Sequence, residues 1–177
     1  MISLARKTAI FLLLLSTISS CGFRVIYKEN DQVSQDSYVN ELASIRIKKD
    51  RDRLSQKLKN DLYDVLNPNY VEAEPKYLLI LSIKESNTPT FITLSGSSGR
   101  NKITMVVNYQ LKRIEDAKLI ASGSASANDN YDVSSNRYGT YTIEEYVKTN
   151  LMKLVAQNIR NSLVSDLIEA KKNENIK

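Results

Sequence analysis

Lys102-Ile103-Thr104-Met105-Val106-Val107-Asn108-Tyr109-Gln110-Leu111-Lys112 carries an apolar side chain at every odd position and polar ones at Lys102, Thr104, Asn108, Gln110 and Lys112. Successive side chains of a strand point to opposite faces, so this period of two describes a strand with one face in a core and the other in water. Such a strand needs neighbours that share its dry face. Downstream, Glu115-Asp116 makes a turn into Lys118 to Asn128, where Ala121, Gly123, Ala125 and Ala127 share a face of very small side chains. Small residues let another element approach closely, either a helix of the same chain or a partner. Upstream, Tyr77, Leu79, Leu81 and Ile83 alternate with Leu78 and Ile80, so the segment is apolar on both faces and reads as a central strand. Between them, Glu85 to Arg100 is rich in Ser, Thr and Gly around Phe91, Ile92 and Leu94. It reads as an extended hairpin arm with a mobile tip at Ser95 to Arg100.

Two helices flank these strands. Leu54, Leu58, Leu62 and Val65 recur at steps of three and four, with Lys57, Lys59, Asn60, Asp61 and Asp64 on the other, solvated faces. Asp50 or Asp52 can cap this helix, and Asn67-Pro68-Asn69 ends it, because proline disfavours helical geometry in the residue before it. A longer helix is predicted from about Thr142 to Lys171, with a stripe through Ile143, Val147, Leu151, Leu154, Val155, Ile159, Leu163 and Leu167. A polar, frayed tail follows over 171–177. Ahead of the first helix, Leu42 to Lys48 ends in an alternation of Ile and basic residues that marks a first strand. The order β-α-β-β-β-α predicts an α+β domain over 42–170: a four-stranded, mostly antiparallel sheet with both helices on one face.

The whole chain, 177 residues with 42% hydrophobic, has room for about one domain with a packed core. It has no His and a single Cys, which removes the common zinc sites, the Ser/His/Asp triad, the Cys/His dyad and any internal disulfide. Ser97, Ser98 and Ser122 stand in neither a Gly-x-Ser-x-Gly elbow nor a Ser-x-x-Lys frame, so a serine hydrolase has no support. The residues therefore suggest neither an enzyme nor a bound metal or cofactor.

Arg6 and Lys7 precede the apolar run Ala9 to Leu15, which softens through Ser16-Thr17-Ile18-Ser19-Ser20 to Cys21. This is the layout of a secretory signal over 1–20. The run falls well short of the roughly 20 residues that span a hydrocarbon core of ~30 Å. Cys21 lies at the cleavage point and resembles the lipobox cysteine that becomes the acylated first residue of a bacterial lipoprotein, palmitate among its chains; a free cysteine after an ordinary signal is the alternative. About two chains already give stable anchoring. Gly22, with no Asp in its place, resembles lipoproteins sent to the outer membrane. The mostly polar stretch from Gly22 to Val39 reads as a lipid-proximal extended tether, within residues 21–41. Cleavage would remove Arg6 and Lys7 from the formal charge of +5, and the modest remainder in a secreted protein argues against nucleic acid.

Cys21-Gly22-Phe23-Arg24-Val25-Ile26-Tyr27, the helix Arg53 to Leu62, Tyr109-Gln110-Leu111, Ala125 to Tyr131 and Asn136-Arg137-Tyr138 together resemble the LPS-assembly lipoprotein LptE family in its alphaproteobacterial form. The resemblance covers nearly the whole chain. It implies a lipid-anchored outer-membrane lipoprotein that plugs and supports the β-barrel LptD in lipopolysaccharide transport, part of Gram-negative envelope biogenesis. Its domain would lie inside the barrel lumen or face the periplasm, and no reaction would be catalysed. Lipopolysaccharide carries phosphates and acyl chains, so a contact surface needs cations beside an apolar or loop surface. Arg100 and Lys102 near the hairpin tip, with Lys112 and Arg113 at the other end of that strand, are the candidates. An ordinary solvated strand edge also explains them, and Ser124 and Ser126 stand where the family would have a fourth-strand cation. A generic envelope lipoprotein, the adaptor subunit of another secretion or lipid-transport machine, fits the signal, anchor and domain equally well.

Overall fold

The computed structural model describes residues 32–48, 51–94 and 96–174; the signal, Cys21, Gly22 to Asp31 and Asp50 lie outside them. In chain order the elements are α1 (Gln32–Ala43), β1 (Ile45–Ile47), α2 (Arg53–Leu66), β2 (Tyr77–Ile92), β3 (Ser98–Arg113), β4 (Leu119–Asp132) and α3 (Arg137–Glu174). The four strands form one sheet in the order β1-β2-β3-β4. β1 runs parallel to β2, with Ile45 opposite Tyr77 and Ile47 opposite Leu79, while β2/β3 and β3/β4 are antiparallel. Parallel neighbours need a crossover, which α2 supplies. From β1 onward this is the expected α+β order.

The alternation in β3 holds through the strand. Ile103, Met105, Val107, Tyr109 and Leu111 are all buried, and Leu79, Ala121, Ala125 and Ala127 join them on the same face. Helices α2 and α3 cover that face: α3 packs chiefly over β4, and α2 lies against α3 and β2. The small side chains of β4 therefore serve close packing within the chain.

Asp52 caps α2, its Oδ2 accepting from the Ser55 N–H at 3.2 Å. The buried line is Leu58, Leu62 and Leu66, each burial contributing about 2 kcal/mol, with Leu54 and Val65 only partly buried. Asn67 closes the helix and then clamps the following turn, with Nδ2 donating to the Val71 carbonyl at 2.9 Å and Oδ1 accepting from the Val71 N–H at 2.8 Å. The polar face of α2 is not simply solvated, because Lys57 Nζ donates to Thr149 Oγ1 of α3.

Several local expectations change. The tether, expected as extended to residue 41, is helical from Gln32 to Ala43. Buried Leu42 and Ala43 fasten the end of that helix, and the Ser44 hydroxyl donates to the Glu41 carbonyl at 2.6 Å. That leaves β1 only Ile45–Ile47. The hairpin arm is paired strand almost to its end: Ser98 to Arg100 belong to β3, and the turn is closed by Thr93 N–H donating to Ser97 O at 2.8 Å. The ladder skips near Pro89, which has no N–H to donate.

Helix α3 starts before Thr142 because Asn136 caps it, Oδ1 accepting from the N–H groups of Tyr138 and Gly139 at 3.1 and 3.2 Å. It also runs on to Glu174, into the expected tail. Its core line is Val147, Leu151, Val155, Ile159, Leu163 and Leu167, a strict step of four joined by Met152 and Ala156; Ile143 and Leu154 are exposed instead. A step of four drifts about 40° around a helix of 3.6 residues per turn, so the contact line is a diagonal ridge. The helix crosses its support obliquely.

Candidate functional site

The four candidate cations lie on β3 but not together. Ten residues separate Lys102 from Lys112, about 33 Å along a strand. At the hairpin end, Arg100 Nε donates to Asp132 Oδ1 at 2.7 Å, and both side chains are largely exposed. The bond and the charge of Arg100 hold the Asp132 carboxyl below its ordinary range. Lys102 sits on the face away from the helices, opposite Thr88 of β2 and Asn130 of β4. At the far end, Lys112 lies opposite Leu78 and Leu119, and Arg113 approaches Asp116 at 3.6 Å beside a recess lined by Lys76, Tyr77 and Ile114.

The two ends differ in their apolar surroundings. Phe91, Ile92 and Leu94 at the hairpin are 59%, 63% and 111% exposed. Pairing of Arg100 with Asp132 puts the end of β4, and hence the start of α3, at this same end of the sheet. There Tyr138, Tyr141 and Tyr146 are also exposed. The hairpin end thus joins exposed aliphatic and aromatic side chains to Arg100 and Lys102.

A polar network fastens this end to the core, and the sequence gives no sign of it. The buried Tyr131 hydroxyl accepts from Asn87 Nδ2 at 2.8 Å and Asn101 Nδ2 at 3.1 Å, and donates to Glu144 Oε2 at 3.2 Å. One phenol oxygen so links β2, β3, β4 and α3. Lys148 extends the network, with Nζ 2.8 Å from Glu144 and 3.0 Å from Glu85. Burial opposes the Lys148 charge, but hydrogen bonds and charges from Glu144 and Glu85 outweigh it and hold the pKa above the ordinary lysine value. Tyr, Asn, Glu and Lys so far apart in sequence leave no motif. The arrangement braces the stem of the hairpin, and its carboxylates are already engaged by Lys148.

Cys21, the expected lipid attachment site, lies outside the described residues. Among the described residues, no helix is long and apolar enough to cross a membrane.

No protein-family model and no curated protein sequence matches the chain. Solved structures do. A lipoprotein from Caulobacter crescentus superposes with a TM-score of 0.62 at 19% identity, covering 75% of this chain and 96% of that one. Rare lipoprotein B from Shewanella oneidensis gives 0.55 at 12% identity, covering 72% and 96%. A minor lipoprotein from Acinetobacter baumannii gives 0.51 at 15% identity, covering 69% and 89%. At these identities the likeness is one of fold, and the chain shares the fold of these bacterial lipoprotein domains.

Proposed function

We propose that this chain is a non-catalytic outer-membrane lipoprotein, anchored through Cys21, that plugs and supports the LptD barrel in lipopolysaccharide transport and assembly. The signal layout ending at Cys21 and the fold of lipoprotein domains support secretion and anchoring. The resemblance to the LptE family supplies the barrel and the lipid.

The observation that carries the plug reading is length. β2 and β3 have 16 residues each and run about 53 Å; α3 has 38 and runs about 57 Å. Four strands side by side are only about 19 Å across. A long, narrow domain of this kind extends beyond a hydrocarbon core of ~30 Å, and large barrels have lumens that accept folded plugs.

Lipopolysaccharide meets the hairpin end in this reading. Phe91, Ile92 and Leu94 face its acyl chains, while Arg100 and Lys102 face its phosphates. Lys112 and Arg113 have a smaller apolar neighbourhood, Ile114 and Leu119, each about half exposed. Depletion of the chain in its native cell tests the reading: barrel assembly fails and lipopolysaccharide at the cell surface falls. Normal surface lipopolysaccharide after depletion would instead favour the adaptor subunit of another envelope machine.

A further inference from the structure

Helices α2 and α3 cover one face of the sheet, and among the described residues no element covers the other. Strands that are apolar on both faces are ordinarily buried on both. β2 turns Leu79, Leu81 and Ile83 to the core, yet Leu78 and Ile80 point the opposite way, half-buried and outside the core cluster. Across the ladder they meet only Lys112 and Gln110. The rest of this face is short and polar: Ser82, Asn108 and Ser124 share one rung, and Ser86, Thr104 and Asn128 another. From the rung of Leu78 to that of Thr88 it carries lysines but no Asp, no Glu and no aromatic ring. Among the described residues, Lys84 and Lys112 make no ion pair on it, and Ser82, Asn108 and Ser124 make no side-chain hydrogen bond. The face thus holds free donors, free positive charge and uncovered aliphatic side chains.

We propose that this bare sheet face lies flat against the inner wall of the partner barrel, with carboxylates of the wall meeting Lys84 and Lys112. The inference rests on the plug reading and adds to it which face docks. A barrel wall is itself a sheet, and its inward side chains are polar. Two stacked sheets share the strand spacing of ~4.8 Å and the side-chain repeat, and lie about 10 Å apart. The short Ser and Thr side chains permit that approach and bring wall carboxylates within reach of the lysines. Along the strands the face measures about 33 Å and across them about 14 Å, the longer side comparable with a hydrocarbon core of ~30 Å. That is on the order of 500 Å² on this chain and 1,000 Å² over both partners, the size at which specific interfaces begin. A sugar chain fits less well, because the face offers no ring for it to stack on. The outer side of the helices mixes both signs of charge, with Asp64 on α2 and Lys153 and Glu169 on α3 all exposed, and has no comparable one-sign surface.

Photocrosslinking of the full, tagged lipoprotein in its native outer membrane tests the docking. Photoreactive benzoylphenylalanine is placed singly at Ser82, Asn108 or Ser124 on the sheet face, and at Asn60 or Gln157 on the outer side of the helices, all exposed positions. The sheet positions are expected to give at least tenfold more adduct with the barrel than the helix positions. Lys84→Glu with Lys112→Glu is expected to cut the barrel retained on the tagged chain in mild detergent at least tenfold, with the urea midpoint of the domain unchanged. Lys84→Arg with Lys112→Arg should retain it. Equal or greater adduct from the helix positions, or full retention by the double-Glu variant, overturns the proposal and leaves the plug reading standing. Adducts of the sheet positions with lipopolysaccharide would assign the face to the lipid and overturn it as well. A native chain that brings down no barrel at all would fail the plug reading, and the proposal with it.

Discussion

The ring of Tyr109 fills the space where Gly123 would carry a side chain. The two residues face each other across β3 and β4, and a Cβ on Gly123 would stand 2.5 Å from the Tyr109 hydroxyl oxygen and 2.7 Å from Cζ. Tyr109 is almost fully buried, and its hydroxyl donates to Asp166 of α3 at 3.4 Å. The absent side chain thus admits an aromatic ring that joins strand to helix. Gly123→Ala is expected to destabilise the domain by about 1–3 kcal/mol, read as a lower midpoint in urea, because the ring must leave its packed position. An unchanged midpoint would show that the ring moves freely.

Removing the hydroxyl at the centre of the polar network tests its bracing role. Tyr131→Phe leaves Asn87, Asn101 and Glu144 without their shared partner and is expected to cost about 1–3 kcal/mol. Amide exchange should accelerate in the stem of the hairpin around Asn87 and Asn101. Exchange that rises uniformly over the domain would contradict a local brace.

The alternation of β3 made the sheet readable, because one dry and one wet face leave a period that nothing else produces. Helix α1 was not readable, since its fixed end rests on two buried residues, Leu42 and Ala43, beside a polar sequence. The stripe of α3 was read too wide. Leu154 stands three residues after Leu151 and fits a straight stripe, but the oblique crossing of α3 sends that position to solvent and brings Met152 inward. The Tyr131 network needed the fold itself, because it joins residues of three strands and a helix.

Lys148 carries a pH dependence whose sign follows from its raised pKa. The folded value lies above 10.5, so the contribution is complete at pH values below 10.5 and is lost as pH climbs through the folded value. Lys148→Met leaves Glu85 and Glu144 without their cation. It is expected to destabilise the domain at pH 7 by on the order of 2 kcal/mol, less than for a fully buried pair. The difference from the native chain should shrink in strongly alkaline buffer. A difference that stays constant from pH 7 to pH 12 would rule out an electrostatic origin.

The two pairs of cations should separate in lipid binding. Replacing Arg100 and Lys102 by Ala is expected to weaken lipopolysaccharide binding several-fold and to reduce its salt dependence. The same change at Lys112 and Arg113 should have a smaller effect, because the exposed apolar surface beside them, Ile114 and Leu119, is smaller. Equal losses from both pairs would point to a diffuse electrostatic attraction.

Anchoring rests on one residue. Cys21→Ala is expected to yield a soluble periplasmic or unprocessed form in cell fractionation. A variant still processed and still tightly bound to membranes would sink the lipid attachment.

The most direct measurement begins with a C-terminal tag on the native chain. Outer membranes are solubilised in mild detergent, and whatever stays bound through a high-salt wash is identified and counted. The account predicts one large β-barrel at one-to-one stoichiometry. Recovery of the chain alone, or with inner-membrane subunits, would contradict it.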